Sequence, residues 1–287
     1  MYSGDAVFYD AFQSFCGIGA DVELIRRLIP DSARDVCEIA CGTGRILLSL
    51  RRPGLTLTGL DLSEDMLKVA RKKDPSVRWL QADMQCLPDL GPFDFIICGY
   101  NSIQHVMENA GVRSFLRGAR ENLREGGLLY LDLYNPREWL KREEDPYAAE
   151  YTPGGRLSEP LDDDATMRFR VPPFLCGEQA IVLYESQWTD EANMIRHITY
   201  EYYEMDRDVY DRGDLRYLYT QKQHPEVERF LLAENYEMRE FLPGEMEEMI
   251  LDCGFQIEKR FGEYDGSDYA RNSTKQIYLL RRAQQKA

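Results

Sequence analysis

Two carboxylates and a glycine turn carry the chemistry that this sequence prepares. The apolar run Val36-Cys-Glu-Ile leads into Ala40-Cys-Gly-Thr-Gly-Arg and then into a helical pattern. Gly42 and Gly44 have no Cβ and accept a positive φ, so the backbone can approach a ligand at the carboxyl end of the strand. A dinucleotide fingerprint needs a third glycine three residues after the second, and Leu47 stands there. The leucine argues against a pyrophosphate, and Glu38, just before the turn, suits a ligand with a cationic amine. Asp61 ends the next apolar run, Leu55-Thr-Leu-Thr-Gly-Leu, where an acid accepts ribose hydroxyls. His105 lies in Gly99-Tyr-Asn-Ser-Ile-Gln-His-Val, after the fourth apolar run, and is a side chain able to take a proton near neutral pH.

These residues resemble the first motifs of class I S-adenosylmethionine-dependent methyltransferases. The family's acid-x-Gly/Ala-x-Gly-x-Gly turn reads here Glu38, Ala40, Gly42, Gly44, with Cys41 inside it. By that resemblance Glu38 takes the cofactor amine, the Ala40 to Gly44 backbone cradles the methionine part, and Asp61 takes the ribose with Leu62 and Met66 beside it. Trp79-Leu-Gln-Ala-Asp-Met matches the third motif, in which Asp83 meets the adenine amino group and the Met84 backbone meets the ring. Phe93 to Cys98 matches the fourth strand, so that Gly99 and Tyr100 border the cofactor. Asn101-Ser-Ile-Gln-His-Val is similar to a segment of bacterial N-methyltransferases acting on amino sugars and related small amines, which puts His105 near the acceptor amine. Many small-molecule members carry an amino-terminal Tyr-Asp pair, which implies that Tyr9 reaches the cofactor; the alternative for Phe8-Tyr-Asp-Ala-Phe is an aromatic staple on a helix.

Composition narrows the partners. Fifty acidic against 35 basic residues give a formal net charge of -15, which repels phosphate backbones and argues against nucleic acid. Seven cysteines without Cys-x-x-Cys spacing read as small core residues in a reducing compartment, and no metal site is expected. No apolar run approaches the roughly 20 residues of a membrane helix, and the expectation is a cytoplasmic enzyme with no membrane partner.

The elements that must position these residues follow from hydrophobic period. Strands are expected at 35–40, 55–60, 77–81, 93–98 and 127–133, with crossover helices between them. Ser63 should cap one helix, and a Gly126-Gly127 pair should stop the helix of 110–125. From 136 to 240 the pattern turns to acidic, Pro-containing loops and long strands, with a hairpin folded about Asp190-Glu-Ala-Asn. A helix closed by Gly254, a strand over 255–261 and a last strand from Gln276 resume the first pattern. The expected fold is α/β, a Rossmann-like seven-stranded doubly wound sheet built from 1–135 and 241–287, with 136–240 an inserted antiparallel β-rich region. The insert serves as a lid or as a homodimer interface. Tyr134 and Asn135 should line the crevice; His197 on one face of a strand and His224 in a loop are weaker candidates, and Arg239 is left unassigned.

The function expected is methyl transfer from S-adenosylmethionine to a small polar metabolite at an amine nitrogen. The alternatives are a small-molecule O-methyltransferase and a cofactor-binding protein without transferase activity.

Overall fold

The computed structural model describes residues 6–17, 19–136 and 167–283. In chain order the elements are α1 (Ala6–Phe15), α2 (Ala20–Leu28), β1 (Asp35–Ile39), α3 (Arg45–Ser49), β2 (Thr56–Asp61), α4 (Glu64–Lys73), β3 (Arg78–Gln81), β4 (Phe93–Cys98), α5 (Asn109–Glu121) and β5 (Leu123–Tyr134). There follow β6 (Met167–Cys176), β7 (Gln179–Asp190), β8 (Ile195–Met205), α6 (Arg207–Asp211), α7 (Leu215–Leu218), β9 (Glu228–Arg239), α8 (Pro243–Asp252), β10 (Phe255–Phe261) and β11 (Lys275–Arg282). The described residues form two compact units, one of residues 19–136 with 239–283, the other of residues 6–17 with 167–238.

The first unit is a seven-stranded sheet in the order β10-β11-β5-β4-β1-β2-β3, antiparallel only at β11. Its strands bury both faces. On β4, Ile96 and Cys98 face one core with Val112, Phe115 and Leu116 of α5 and Met246, Met249 and Ile250 of α8. Phe95 and Ile97 face the other, with Ile25 of α2, Leu47 of α3 and Leu67 of α4. Each such buried side chain contributes about 1.5–3 kcal/mol, which is why these strands read as near-continuous apolar runs. From β1 the chain winds one way through β2 and β3 and the other way through β4 and β5, so the order reverses between β1 and β4. Ligands of open α/β sheets bind in the crevice at such a point.

Two local expectations hold and one is corrected. Ser63 Oγ accepts the Met66 N–H at 3.3 Å, capping α4, and the hairpin pairs Asp190 with Ile195 as its polar turn required. Helix α5, however, ends at Glu121, not at the glycine pair. Asn122 stops it by sending its side chain to the preceding loop, accepting from Leu90 and Gly91 N–H at 2.7 and 2.8 Å and donating to Pro88 C=O at 3.0 Å. Gly126, at φ 74°, and Gly127 instead lie inside β5, where its register on β4 shifts.

The second unit is a four-stranded antiparallel sheet in the order β6-β7-β8-β9. One face carries Val171, Phe174, Ile181, Leu183 and Tyr202 under Phe8 and Phe12 of α1. Phe8 stacks on Tyr202 with centroids 5.1 Å apart. This corrects the expected boundary, which placed the amino terminus with the cofactor domain: the aromatic face of α1 finds its partners on this sheet. The opposite face packs Ala180, Val182, Tyr184, Tyr203 and Met205 with Val209 of α6. The loops expected within 137–166 lie outside the described residues.

A fully buried ion pair staples this unit. Arg170 NH2 reaches Glu228 Oε1 at 2.6 Å, both side chains being 0% exposed. The other guanidinium N–H groups go to Tyr184 Oη at 3.0 Å and to the carbonyls of Tyr217, Leu218 and Thr220 at 2.8, 3.3 and 3.2 Å. Every donor of the fork is spent, which offsets the desolvation of the charge. Arg170→Met strands the Glu228 carboxylate and is expected to cost about 3–5 kcal/mol, whereas adding Glu228→Leu recovers most of it. Urea titrations of the single and double variants measure this.

Candidate active site

The turn after β1 is left-handed at three places, Ala40 at φ 58°, Gly42 at 53° and Gly44 at 77°. It is laced to β2: Cys41 N–H donates to Leu60 C=O at 2.8 Å, and Gly42 N–H donates to Asp61 Oδ2 at 2.7 Å. Asp61 Oδ1 accepts the Ser63 N–H at 2.8 Å, so one carboxylate joins the tips of β1 and β2 and the start of α4. Burial raises the Asp61 pKa against the pull of these N–H donors.

The two glycines do different work. A Cβ on Gly44 would stand 2.6 Å from the Trp79 ring, and one on Gly59 would stand 2.4 Å from it, so the indole lies directly under the turn. Its N–H is anchored on Asp74 C=O at 2.8 Å. A Cβ on Gly42 would meet nothing within 4 Å. Gly42 therefore borders open space, a cradle that a methyl group would enter.

Glu38 is 3% exposed, and its Oε2 accepts the Leu47 N–H at 2.9 Å, in the first turn of α3. Burial pushes its pKa up to about 8, against the opposing pull of Arg45 and of the Leu47 N–H. Arg45 itself holds Asp21 of α2 with both guanidinium nitrogens, at 3.1 and 2.5 Å, and lies over the Tyr100 ring at 4.9 Å. At the tip of β3, Asp83 caps the 3-10 turn Met84–Cys86 by accepting the Gln85 N–H at 2.8 Å. An open cradle, a carboxylate suited to a cation, and acids at the ends of β2 and β3 together fit a ligand that combines an amino acid with a nucleoside.

After β4 the backbone turns sharply, with Tyr100 and Asn101 both left-handed, at φ 54° and 63°. Asp132 Oδ1 pins this turn by accepting the Asn101 N–H at 2.8 Å, while Asp132 Oδ2 takes the Tyr130 O–H at 2.8 Å. Asp132 is 0% exposed, and burial raises its pKa against the pull of the Asn101 N–H and the field of Lys275. The ammonium of Lys275 lies 3.3 Å from the Tyr134 ring centroid. His105 ends the 3-10 turn Ser102–His105, half-buried. Two contacts fix that turn: Gln104 donates to Arg239 C=O at 2.9 Å and accepts from Tyr134 N–H at 2.9 Å.

The remaining expected residues differ in burial. Met66 is 2% exposed on the inner face of α4, and Cys41 is 5% exposed in the core beside Ile46 and Leu47, so Cys41 offers the cradle only its backbone. Leu62 is exposed. Gly99 is buried, a Cβ there standing 3.2 Å from Ile46 Cδ1. Asn135 is fully buried and holds Ser273 C=O at 2.6 Å, locking the start of β11 rather than lining a crevice. Tyr9 belongs to α1 of the second unit, where its neighbours Phe8 and Phe12 make the staple. His197 stacks on Trp188 at 4.0 Å within that sheet, and His224 pairs with Glu226 at 3.2 Å. Sequence reasoning missed Asp21, Arg45, Asp132 and Lys275. The only signals for them were an acid within the apolar stripe of α2 and a charge at the tip of an apolar strand. Arg239, left without a role, ties Met107 C=O to Glu245 at 2.9 and 2.5 Å. Among the described residues no group of three His, Cys, Asp or Glu side chains could hold a metal ion, and no helix is long and apolar enough to cross a membrane.

Comparison with known proteins agrees with this geometry. Residues 36–127 match the family described as a methyltransferase domain. The Bacillus subtilis protein named "Putative methyltransferase YqeM" is 23% identical over 99% of this chain and 98% of its own length. The dTDP-4-amino-2,3,4,6-tetradeoxy-D-glucose N,N-dimethyltransferase of Saccharopolyspora spinosa is 31% identical over 46% of this chain and 55% of its own. The solved sugar N-methyltransferase KedS8 from Streptoalloteichus shares the fold with a TM-score of 0.65, at 19% identity over 96% of this chain and 93% of that one.

The raised pKa of Glu38 has a measurable consequence for stability. Its folded value of about 8 exceeds the ordinary 4.5, so its contribution is fully present below 4.5 and is lost as pH rises through about 8. Glu38→Gln keeps an acceptor for Leu47 N–H and cannot ionise. Urea titrations are expected to find the variant and the parent alike at pH 5 and the variant the more stable at pH 9.

Proposed function

We propose that this chain, a class I S-adenosylmethionine-dependent methyltransferase, methylates a small polar metabolite at an amine nitrogen. The observation that carries the reading is the open cradle over Gly42, clamped by Asp61 and flanked by the buried Glu38 carboxylate. Glu38 holds the cofactor's amine, the backbone from Ala40 to Gly44 its methionine part, Asp61 the ribose beside Leu62, and Asp83 with the Met84 backbone the adenine. Bound S-adenosylmethionine supplies a methyl group on a positively charged sulfur.

The chain must then align the acceptor, exclude water and present a nitrogen with a free electron pair. His105 is assigned the proton: its neutral imidazole takes one from the acceptor's ammonium and leaves the amine. A net charge of -15 favours a cationic acceptor over an anionic one by long-range attraction. The amino-sugar relatives support nitrogen as the target. The proposed setting is the cytoplasm, with the small-molecule acceptor as the partner.

Titration calorimetry with S-adenosylmethionine and its demethylated product tests the cofactor half. Absence of heat with both would overturn the reading. The cradle makes a sharper prediction: Gly42→Ala is expected to cost the fold only about 1–2 kcal/mol for a left-handed alanine while abolishing the binding heat. Transfer of labelled methyl to a panel of amines, alcohols and carboxylates tests the acceptor half. His105→Ala is expected to cut amine turnover by about 10²–10⁴-fold, the usual worth of a general base, with cofactor affinity unchanged. Transfer confined to hydroxyl or carboxyl acceptors would favour O-methylation instead.

A further inference from the structure

The turn after β4 contains a polar atom that no described residue uses. Asn101 is 3% exposed, and its side-chain oxygen Oδ1 is buried with no hydrogen-bond partner among the described residues. A buried amide carbonyl left unpaired is unfavourable, and the backbone around it is held in a conformation that is itself unfavourable. Tyr100 and Asn101 are two successive non-glycine residues with positive φ. The strain is maintained by the bond from Asn101 N–H to Asp132, a carboxylate that is itself fully buried. A second orphan accompanies it: the Tyr264 hydroxyl is buried without a partner among the described residues, and it lies within the electrostatic reach of Asp132 and Tyr130. Backbone strain and unsatisfied polar atoms that the surrounding structure enforces are signs of a site completed by a ligand.

We propose that Asn101 orients the methyl acceptor, its Oδ1 accepting a hydrogen bond from the acceptor nitrogen's N–H. This rests on the methyltransferase reading above and narrows its substrate class to amines that keep an N–H donor beside the lone pair that attacks. An amide carbonyl suits this task because it takes no proton. It holds the N–H and leaves the lone pair free to point at the methyl carbon, whereas proton removal falls to His105, four residues on in the same turn. An acceptor with a hydroxyl could donate to the same oxygen. An acceptor without any N–H or O–H would leave it unsatisfied.

The test needs no knowledge of the acceptor. Sinefungin carries an amine where the cofactor carries its transferable methyl, and S-adenosylhomocysteine carries nothing there. Titration calorimetry of the whole chain gives the ratio of their dissociation constants. Asn101→Gly, which removes the amide and relaxes the left-handed backbone, is expected to erode the preference for sinefungin about tenfold and leave S-adenosylhomocysteine affinity unchanged. Asn101→Asp keeps an acceptor in a residue that tolerates positive φ, and is expected to preserve or sharpen the preference. A ratio unmoved in both variants would overturn the assignment while leaving the cofactor reading intact. Failure of the unsubstituted chain to bind either compound would remove both.

Discussion

The bridge that Asp61 builds between the tips of β1 and β2 is the constraint on which the rest of the first unit depends. Its two oxygens accept N–H groups from Gly42 and Ser63, at 2.7 and 2.8 Å. Hydrogen bonds to an ionised acceptor are roughly twice as strong as neutral ones. They hold Ala40, Gly42 and Gly44 in left-handed geometry and start α4 at Ser63. Trp79 supports the same turn from below, so the cradle is gripped at its strand tip and at its base. A ligand therefore meets a surface whose shape is already settled.

Charge is buried around this crevice under strict conditions. Asp21, Glu38 and Asp132 are each 3% exposed or less, yet each meets a guanidinium or a backbone N–H. Such groups are costly to desolvate and are tolerated only when paired. Glu38 is the least compensated, which is why its proton is held to about pH 8. A cation arriving beside it would reverse that balance, since an opposite charge favours the ionised form. Among the described residues the Asn101 and Tyr264 oxygens are exceptions to that pairing, as is Arg260 Nε in the same unit.

The second unit solves a different problem with the same rules. A four-stranded sheet with two apolar faces needs a cover on each, and α1 and α6 supply them. Arg170 and Glu228 then settle one arrangement of the loop around α7 by spending every donor of the guanidinium on fixed carbonyls, a tyrosine and a carboxylate.

Much of this was legible in the chain because it is local. Strands β1, β2 and β4, the Ser63 cap, the hairpin and the acids at strand tips follow from alternation, capping chemistry and glycine placement within a few residues. The end of α5 was misread because Asn122, not the glycine pair, stops it, through bonds to residues some thirty positions earlier. The partner of α1 was missed for the same reason, since Phe12 meets Phe174. By itself the sequence determined which strand ends carry carboxylates and that a glycine turn lies between them. Only the tertiary structure decided which carboxylates hold the fold, which glycine of the turn faces open space and which polar atoms lack a partner among the described residues. Those properties arise from packing between distant segments, which leaves no period or spacing in the chain.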